Sequence, residues 1–162
     1  MIRTSVATAT DPRLDERPAP DTTPYTEHGK WTVHFRNGLL GFPECRRFTL
    51  HTTRRDGLYW LQSAEDSALA FLLMDPFHFI SGYSLELNPA EVAELEPVTA
   101  SDLVVLAIVT LADPHGSTCT VNLQGPLIID LPGGRAKQIV LPDTKYGVRY
   151  PVELAPNGTQ GR

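Results

Sequence analysis

Five histidines and two cysteines are the side chains most able to bind a metal or attack an electrophile. His28, His34, His51, His78 and His115 share no His-x-x-x-His or similar spacing that would set two imidazoles on one ion. Cys45 and Cys119 form no Cys-x-x-Cys pair, so the chain carries no pattern for a structural zinc. Ser63 and Ser81 lack a nucleophile-elbow context, and neither a phosphate loop nor a dinucleotide fingerprint occurs. Cys119 with His115 four residues earlier could in principle form a thiolate and its base. The alternation in Thr118-Cys119-Thr120-Val121, however, reads as strand packing. Glu65-Asp66 lies in a polar turn and reads as solvated rather than poised for acid–base work. No catalytic residue, metal ligand or cofactor site is assigned, and the chain reads as a binding protein rather than an enzyme.

The charges are more informative. The 162 residues carry 14 Lys and Arg against 19 Asp and Glu, a net charge of −5 that argues against binding nucleic acid by phosphate neutralisation. No Lys or Arg occurs between Asp56 and Gly134, a stretch with carboxylates from Asp56 to Asp130. Two arrangements satisfy this pattern. Basic flanks can fold over the acidic middle and cancel it, or the middle can form a one-signed acidic face that steers a basic protein partner. Glu91, Glu94, Glu96 and Asp102 are the carboxylates placed at such a face. Phe77, Phe79 and Tyr83, beside Pro76 and Gly82, either close a barrel end or offer an aromatic anchor to that partner. Asn122 in an apolar strand needs hydrogen-bond partners, from a neighbouring loop or from a ligand.

The elements that must position these residues are mostly short strands. Trp31, Val33 and Phe35 alternate with polar residues at a period of two. Further apolar runs follow at 48–50, 58–61, 69–74, 83–87, 103–111, 119–123, 127–129 and 138–141, separated by turn residues such as Asp56-Gly57 and Gly125-Pro126. About nine strands at this spacing predict a mainly β chain, a small antiparallel β-barrel-like fold, with one short helix over 88–97. Asn88 can cap that helix, Pro89 suits its first position, and Pro97 ends it. Residues 1–27 are rich in Thr, Pro and Asp without apolar periodicity and read as a disordered leader; 28–155 form the β domain and 156–162 a disordered tail. No apolar run is long enough to span a membrane and the start lacks a signal-peptide pattern, which predicts a cytoplasmic protein.

Several stretches resemble, in order, those of one family. Gly38-Leu39-Leu40-Gly41-Phe42, Tyr59-Trp60-Leu61-Gln62-Ser63, Leu69-Ala70-Phe71 and Met74-Asp75-Pro76 come first, with Tyr83 where an aromatic is expected. The run from Thr120 through Asn122-Leu123-Gln124-Gly125-Pro126 to Ile129 follows, then Gln138-Ile139-Val140-Leu141, Lys145-Tyr146 and Pro151. Together they resemble the flagellar assembly factor FliW family from about Trp31 to Val152. The resemblance implies a small β-barrel-like cytoplasmic protein without a cofactor. Proteins similar to FliW bind CsrA, a small dimeric RNA-binding regulator, and relieve its repression of flagellin mRNA. They also bind newly made flagellin, which competes for them and so releases CsrA. The long leader and the uninterrupted stretch without basic residues depart from the family pattern. The resemblance and the charge pattern together make CsrA and flagellin the expected partners, with neither nucleic acid nor membrane bound directly and a monomer in the free state. The competing readings are a small-molecule enzyme or ligand-binding β-barrel with no flagellar role, and an oligonucleotide-binding barrel, which would require a basic groove.

Overall fold

The computed structural model describes residues 5–6, 29–97, 103–112, 118–142 and 145–154. In β2 (Lys30–Phe35) the alternation of the sequence becomes an alternation of burial: Trp31, Val33 and Phe35 are buried while Lys30, Thr32 and His34 face outward. β2 pairs antiparallel with β3 (Arg47–Thr52), β3 with β4 (Leu58–Ser63), and β4 with β5 (Ala70–Met74). Every residue of β5 is buried, as is all of β4 except half-buried Gln62, which is why both read as continuous apolar runs. The β3–β4 turn needs Gly57. Its φ is 87°, and a Cβ there would sit 2.8 Å from the Phe79 ring and 2.9 Å from the His78 ring.

Past β5 the structure departs from the sequence reading in two places. Asp75 caps a second short helix, α1 (Pro76–Phe79), by accepting a hydrogen bond from Phe77 N–H. Residues 83–87, expected as a strand, pair with nothing as a strand. Their alternation instead places Leu85 and Leu87 against the outside of the barrel. The expected helix is present but shorter than 88–97, as α2 (Pro89–Ala93), with Asn88 Oδ1 accepting from Ala90 N–H at 2.8 Å, Pro89 at its start and Glu94, not Pro97, at its end.

β6 (Leu103–Leu111) and β7 (Thr118–Asp130) form the longest pairing. Gly125-Pro126 does not divide β7 into the two strands expected. Leu106 pairs with Leu127 and Ile108 with Asn122, so residues 123–126 bulge out opposite Ala107 within one strand. Asn122 Oδ1 holds the bulge by accepting from Gln124 N–H (3.0 Å) and Gly125 N–H (2.9 Å).

β8 (Arg135–Gln138) pairs with the C-terminal half of β7, and β9 (Tyr150–Glu153) with its N-terminal half. β8 begins three residues earlier than the expected strand at 138–141. It also pairs in parallel with β2 through His34↔Arg135 and Phe35↔Ala136, the exception to an otherwise antiparallel barrel. The ring runs β5-β4-β3-β2-β8-β7-β6 and closes where β6 meets β5 at Leu73↔Ile108 and Met74↔Ala107, a seven-stranded barrel. Within the segment read as a disordered leader, Ser5–Val6 forms β1, a strand on β5. The rest of that segment and the 156–162 tail lie outside the described residues.

Two clusters fill the molecule. The larger one contains Phe35, Phe48, Leu61, Leu73, Leu127 and Ile129, with Phe35 and Phe48 meeting edge to face at 5.4 Å. The smaller one lies outside the barrel wall, where Leu103, Val105, Ile128 and Ile139 are covered by Leu85, Leu87, Val92 and Leu95.

Candidate functional site

Two surfaces hold Glu91, Glu94 and Glu96 on the one hand and Phe77, Phe79 and Tyr83 on the other. The first is the carboxylate cluster around α2. Arg135 and Lys137 alternate with buried Ala136 on β8, so both cations stand on one face of that strand, toward the helix. Lys137 Nζ pairs with both Glu91 and Glu94. Arg135 Nη1 reaches Glu96 Oε1 at 3.2 Å, and its Nη2 donates to the Glu96 carbonyl at 3.1 Å. The same guanidinium lies 3.6 Å from Asp130, which is wholly buried. Hydrogen bonds from Lys137 hold the Glu94 carboxyl below the usual carboxylate range, and those to Glu91 and Glu94 push Lys137 above the usual ammonium value. Glu96 adopts a left-handed φ of 49° where the chain leaves the helix, a position in which Arg135 grips both its side chain and its carbonyl.

Of the two arrangements that the sequence left open, the pairing at the helix is the one in which basic flanks meet the central acids. Bases from beyond residue 134 do fold over the central acids. The cancellation is partial, with four carboxylates (Glu91, Glu94, Glu96, Asp130) sharing two cations. Elsewhere Glu65 is paired with Arg47 at 3.4 Å and accepts from Arg46 N–H at 2.8 Å, which lowers its pKa and makes the Glu65-Asp66 turn structural. Asp102 lies outside the described residues.

The second surface is a row of aromatic rings. Phe77, 44% exposed, stands edge to face on Tyr83 at 4.8 Å. Tyr83 meets Tyr146 at 5.0 Å, and Tyr146 meets Tyr150 at 5.6 Å. Lys145 Nζ lies 5.4 Å from the Tyr146 ring centroid, and Tyr146 Oη accepts from Ser84 N–H at 3.3 Å. An open groove lined by Leu85, Glu86, Pro142 and Lys145 runs beside the row. Tyr83 is buried and its hydroxyl finds no hydrogen-bond partner among the described residues; burial raises its pKa, with Tyr146 and Asp75 adding to the rise. Phe79 turns inward, half-buried against the core. The three aromatics thus divide: Phe79 and Tyr83 pack inward against the core, and Phe77 stands exposed.

Comparison with known proteins agrees with this geometry. The family model described as FliW protein matches residues 21–152. The chain belongs to the FliW family. A Treponema denticola protein named flagellar assembly factor FliW is 37% identical over 130 residues, 80% of this chain and 87% of that one. Its namesake from Syntrophotalea carbinolica is 38% identical over 122 residues, covering 75% and 86%. A crystal structure of the flagellar assembly factor FliW matches the fold with a TM-score of 0.66 at 31% identity, covering 73% of this chain and 82% of that one.

The stretch that most resembles a FliW signature, around Asn122, is structural in this chain. Besides the two hydrogen bonds accepted by Asn122, Gln124 Nε2 donates to the Leu141 carbonyl and Gln138 Nε2 to the Gly125 carbonyl. Gln138 Oε1 in turn accepts from Leu40 N–H, joining the first resembling motif to the last ones. The Asn122 oxygen is therefore committed to the backbone. Cys119 is buried, its thiol donating toward the Val152 carbonyl at 3.5 Å, and burial pushes its pKa up to about 11. A thiol held protonated in this way is a poor nucleophile, and His115 lies outside the described residues. Among the described residues no group of three His, Cys, Asp or Glu is placed to hold a metal, and no helix is long and apolar enough to cross a membrane.

Sequence reasoning missed Tyr146 and Tyr150 as parts of the aromatic row, and Arg135 and Lys137 as partners of α2. For the tyrosines a signal existed, since Lys145-Tyr146 was among the FliW-like motifs. For the cations none did, because Lys137 sits 43 residues from Glu94.

Proposed function

We propose that the chain acts in the cytoplasm as a flagellar assembly factor that binds the translational regulator CsrA and newly made flagellin, so that flagellin titrates it away from CsrA and flagellin translation is relieved of repression only when flagellin has been exported. Membership of the FliW family carries this reading. Two features of the surface support it. A partner that binds RNA must present positive charge to phosphates, and the α2 cluster keeps an excess of carboxylates over cations to meet it. Exposed ion pairs contribute only about 0–1 kcal/mol each, so affinity must come mainly from apolar contact. Phe77, standing exposed on the Tyr83 ring, is suited to be that contact. The protein acts as a monomer in its free state and touches neither RNA nor membrane itself.

The test is capture from a lysate of motile cells at low and at high salt, followed by addition of purified flagellin to the captured complex. CsrA should be retained at low salt and released by flagellin. Failure to retain either protein at low salt, with the folded state verified, would overturn the reading.

A further inference from the structure

Residues 84–97 are attached to the barrel differently from the rest of the chain. Their backbone hydrogen bonds are local: Glu91 and Val92 N–H to the Asn88 carbonyl, Leu95 N–H to Val92, and Glu96 N–H to Ala93. Among the described residues, two bonds reach outward, Ser84 N–H to Tyr146 Oη and the Glu96 carbonyl from Arg135. The segment is held otherwise by side chains. Leu87, Val92 and Leu95 lie on an apolar strip of Leu103, Val105, Ile128 and Ile139 that is separate from the main core, and Leu85 packs against both the strip and that core. Across the edge of this strip Arg135 and Lys137 grip Glu91, Glu94 and Glu96. A segment with so few backbone bonds to its support has a low opening free energy of its own, distinct from global unfolding.

The fastening consists of ion pairs in which Glu94 and Glu96 are more than half exposed, the kind of contact that salt screens and competing charges replace. We propose that residues 84–97 form a strap that opens as a unit from the outer face of β6–β8, held shut by Arg135 and Lys137 and released when a cationic protein surface takes Glu91, Glu94 and Glu96 from them. Opening uncovers Leu103, Val105, Ile128 and Ile139, so that one encounter exchanges an internal ion pair for an external one and exposes an apolar strip beside it. A cationic partner shifts this equilibrium only by as much as it prefers the open form, and the carboxylates freed from Arg135 and Lys137 supply that preference. The inference deepens the function proposed above by naming its regulation, and rests on that reading only in the choice of a basic competitor.

The experiment places a thiol beneath the strap with Val105→Cys in a Cys45→Ser background, so that labelling by a disulfide reagent reports opening, and Cys119 in the same molecule reports global unfolding. Labelling at position 105 should outpace labelling of Cys119. It should rise about five- to tenfold on adding Lys137→Met, the effect of losing its two ion pairs. Oligolysine should raise it further than sodium chloride of equal ionic strength. Labelling that tracks Cys119, or that ignores Lys137→Met, overturns the strap. Oligolysine no better than simple salt overturns its release by a cationic surface. If Val105→Cys does not fold, amide exchange at Ser84, whose N–H bonds across to Tyr146, against that of β7 in the parent chain reads the same opening. Failure of CsrA capture alongside a normal response to Lys137→Met would fault the proposed function and leave the strap standing.

Discussion

The β7 bulge and the α2 cluster each gather polar side chains against the barrel wall, and they use them in opposite ways. At the bulge, Asn122, Gln124 and Gln138 are uncharged, and they bond to backbone groups that the surrounding chain partly shields from water. At α2, three glutamates meet two cations near the surface, where water and outside charges reach Glu94 and Glu96 while the Lys137–Glu91 pair is more shielded. Buried neutral hydrogen bonds are costly to break and fix a shape; exposed ion pairs are cheap to exchange. The difference separates the part of the molecule that sets its geometry from the part that we propose changes partners.

The contrast can be broken or sharpened by measurement. Trp60→Ala in β4 gives the scale of the shared core: Trp60 is 4% exposed, and its loss should cost about 3–5 kcal/mol in denaturant unfolding. Asn122→Ala comes next, because the Gln124 and Gly125 N–H groups lose their acceptor; about 1–3 kcal/mol is expected, and a near-neutral result would end the structural reading of the bulge. Phe77→Ala should leave stability within about 0.5 kcal/mol and yet weaken partner binding by about tenfold or more in titration calorimetry. The smallest effect is the pH dependence of α2. Glu94 is depressed in the folded state, so its contribution is complete above the ordinary value of 4.5 and is lost as pH falls through the lower, folded value. Lys137 is raised, so its contribution is present below 10.5 and lost as pH rises through the higher, folded value. The difference in melting temperature between the parent and Lys137→Met should therefore exist between those limits and fade beyond both.

How much of this was legible in the chain depends on where each contact lies in sequence. β2 was plain because a half-buried strand writes its alternation directly. Residues 83–87 wrote the same alternation for another reason: Leu85 and Leu87 face an apolar strip without strand pairing, so period two reported burial and not hydrogen bonding. β7 was divided at Gly125-Pro126 because those residues usually end a strand, and the Asn122 oxygen that lets the strand run on acts through geometry rather than pattern. β9 escaped notice because four residues including Pro151 carry too little apolar signal. At the candidate site the cap of α2 was readable. The charge pattern left cancellation and a one-signed face both open, since a net-charge map along the chain cannot see which strand will pass beneath a helix.

The alternation of β8 has one more consequence. Arg135 and Lys137 point one way and Ala136 the other, and the pairing with β2 that completes the ring runs through two residues. Losing or gaining a single codon there would turn both cations inward and the alanine out, undoing clasp and closure together. Over evolutionary time this stretch should accept altered letters far more readily than altered length.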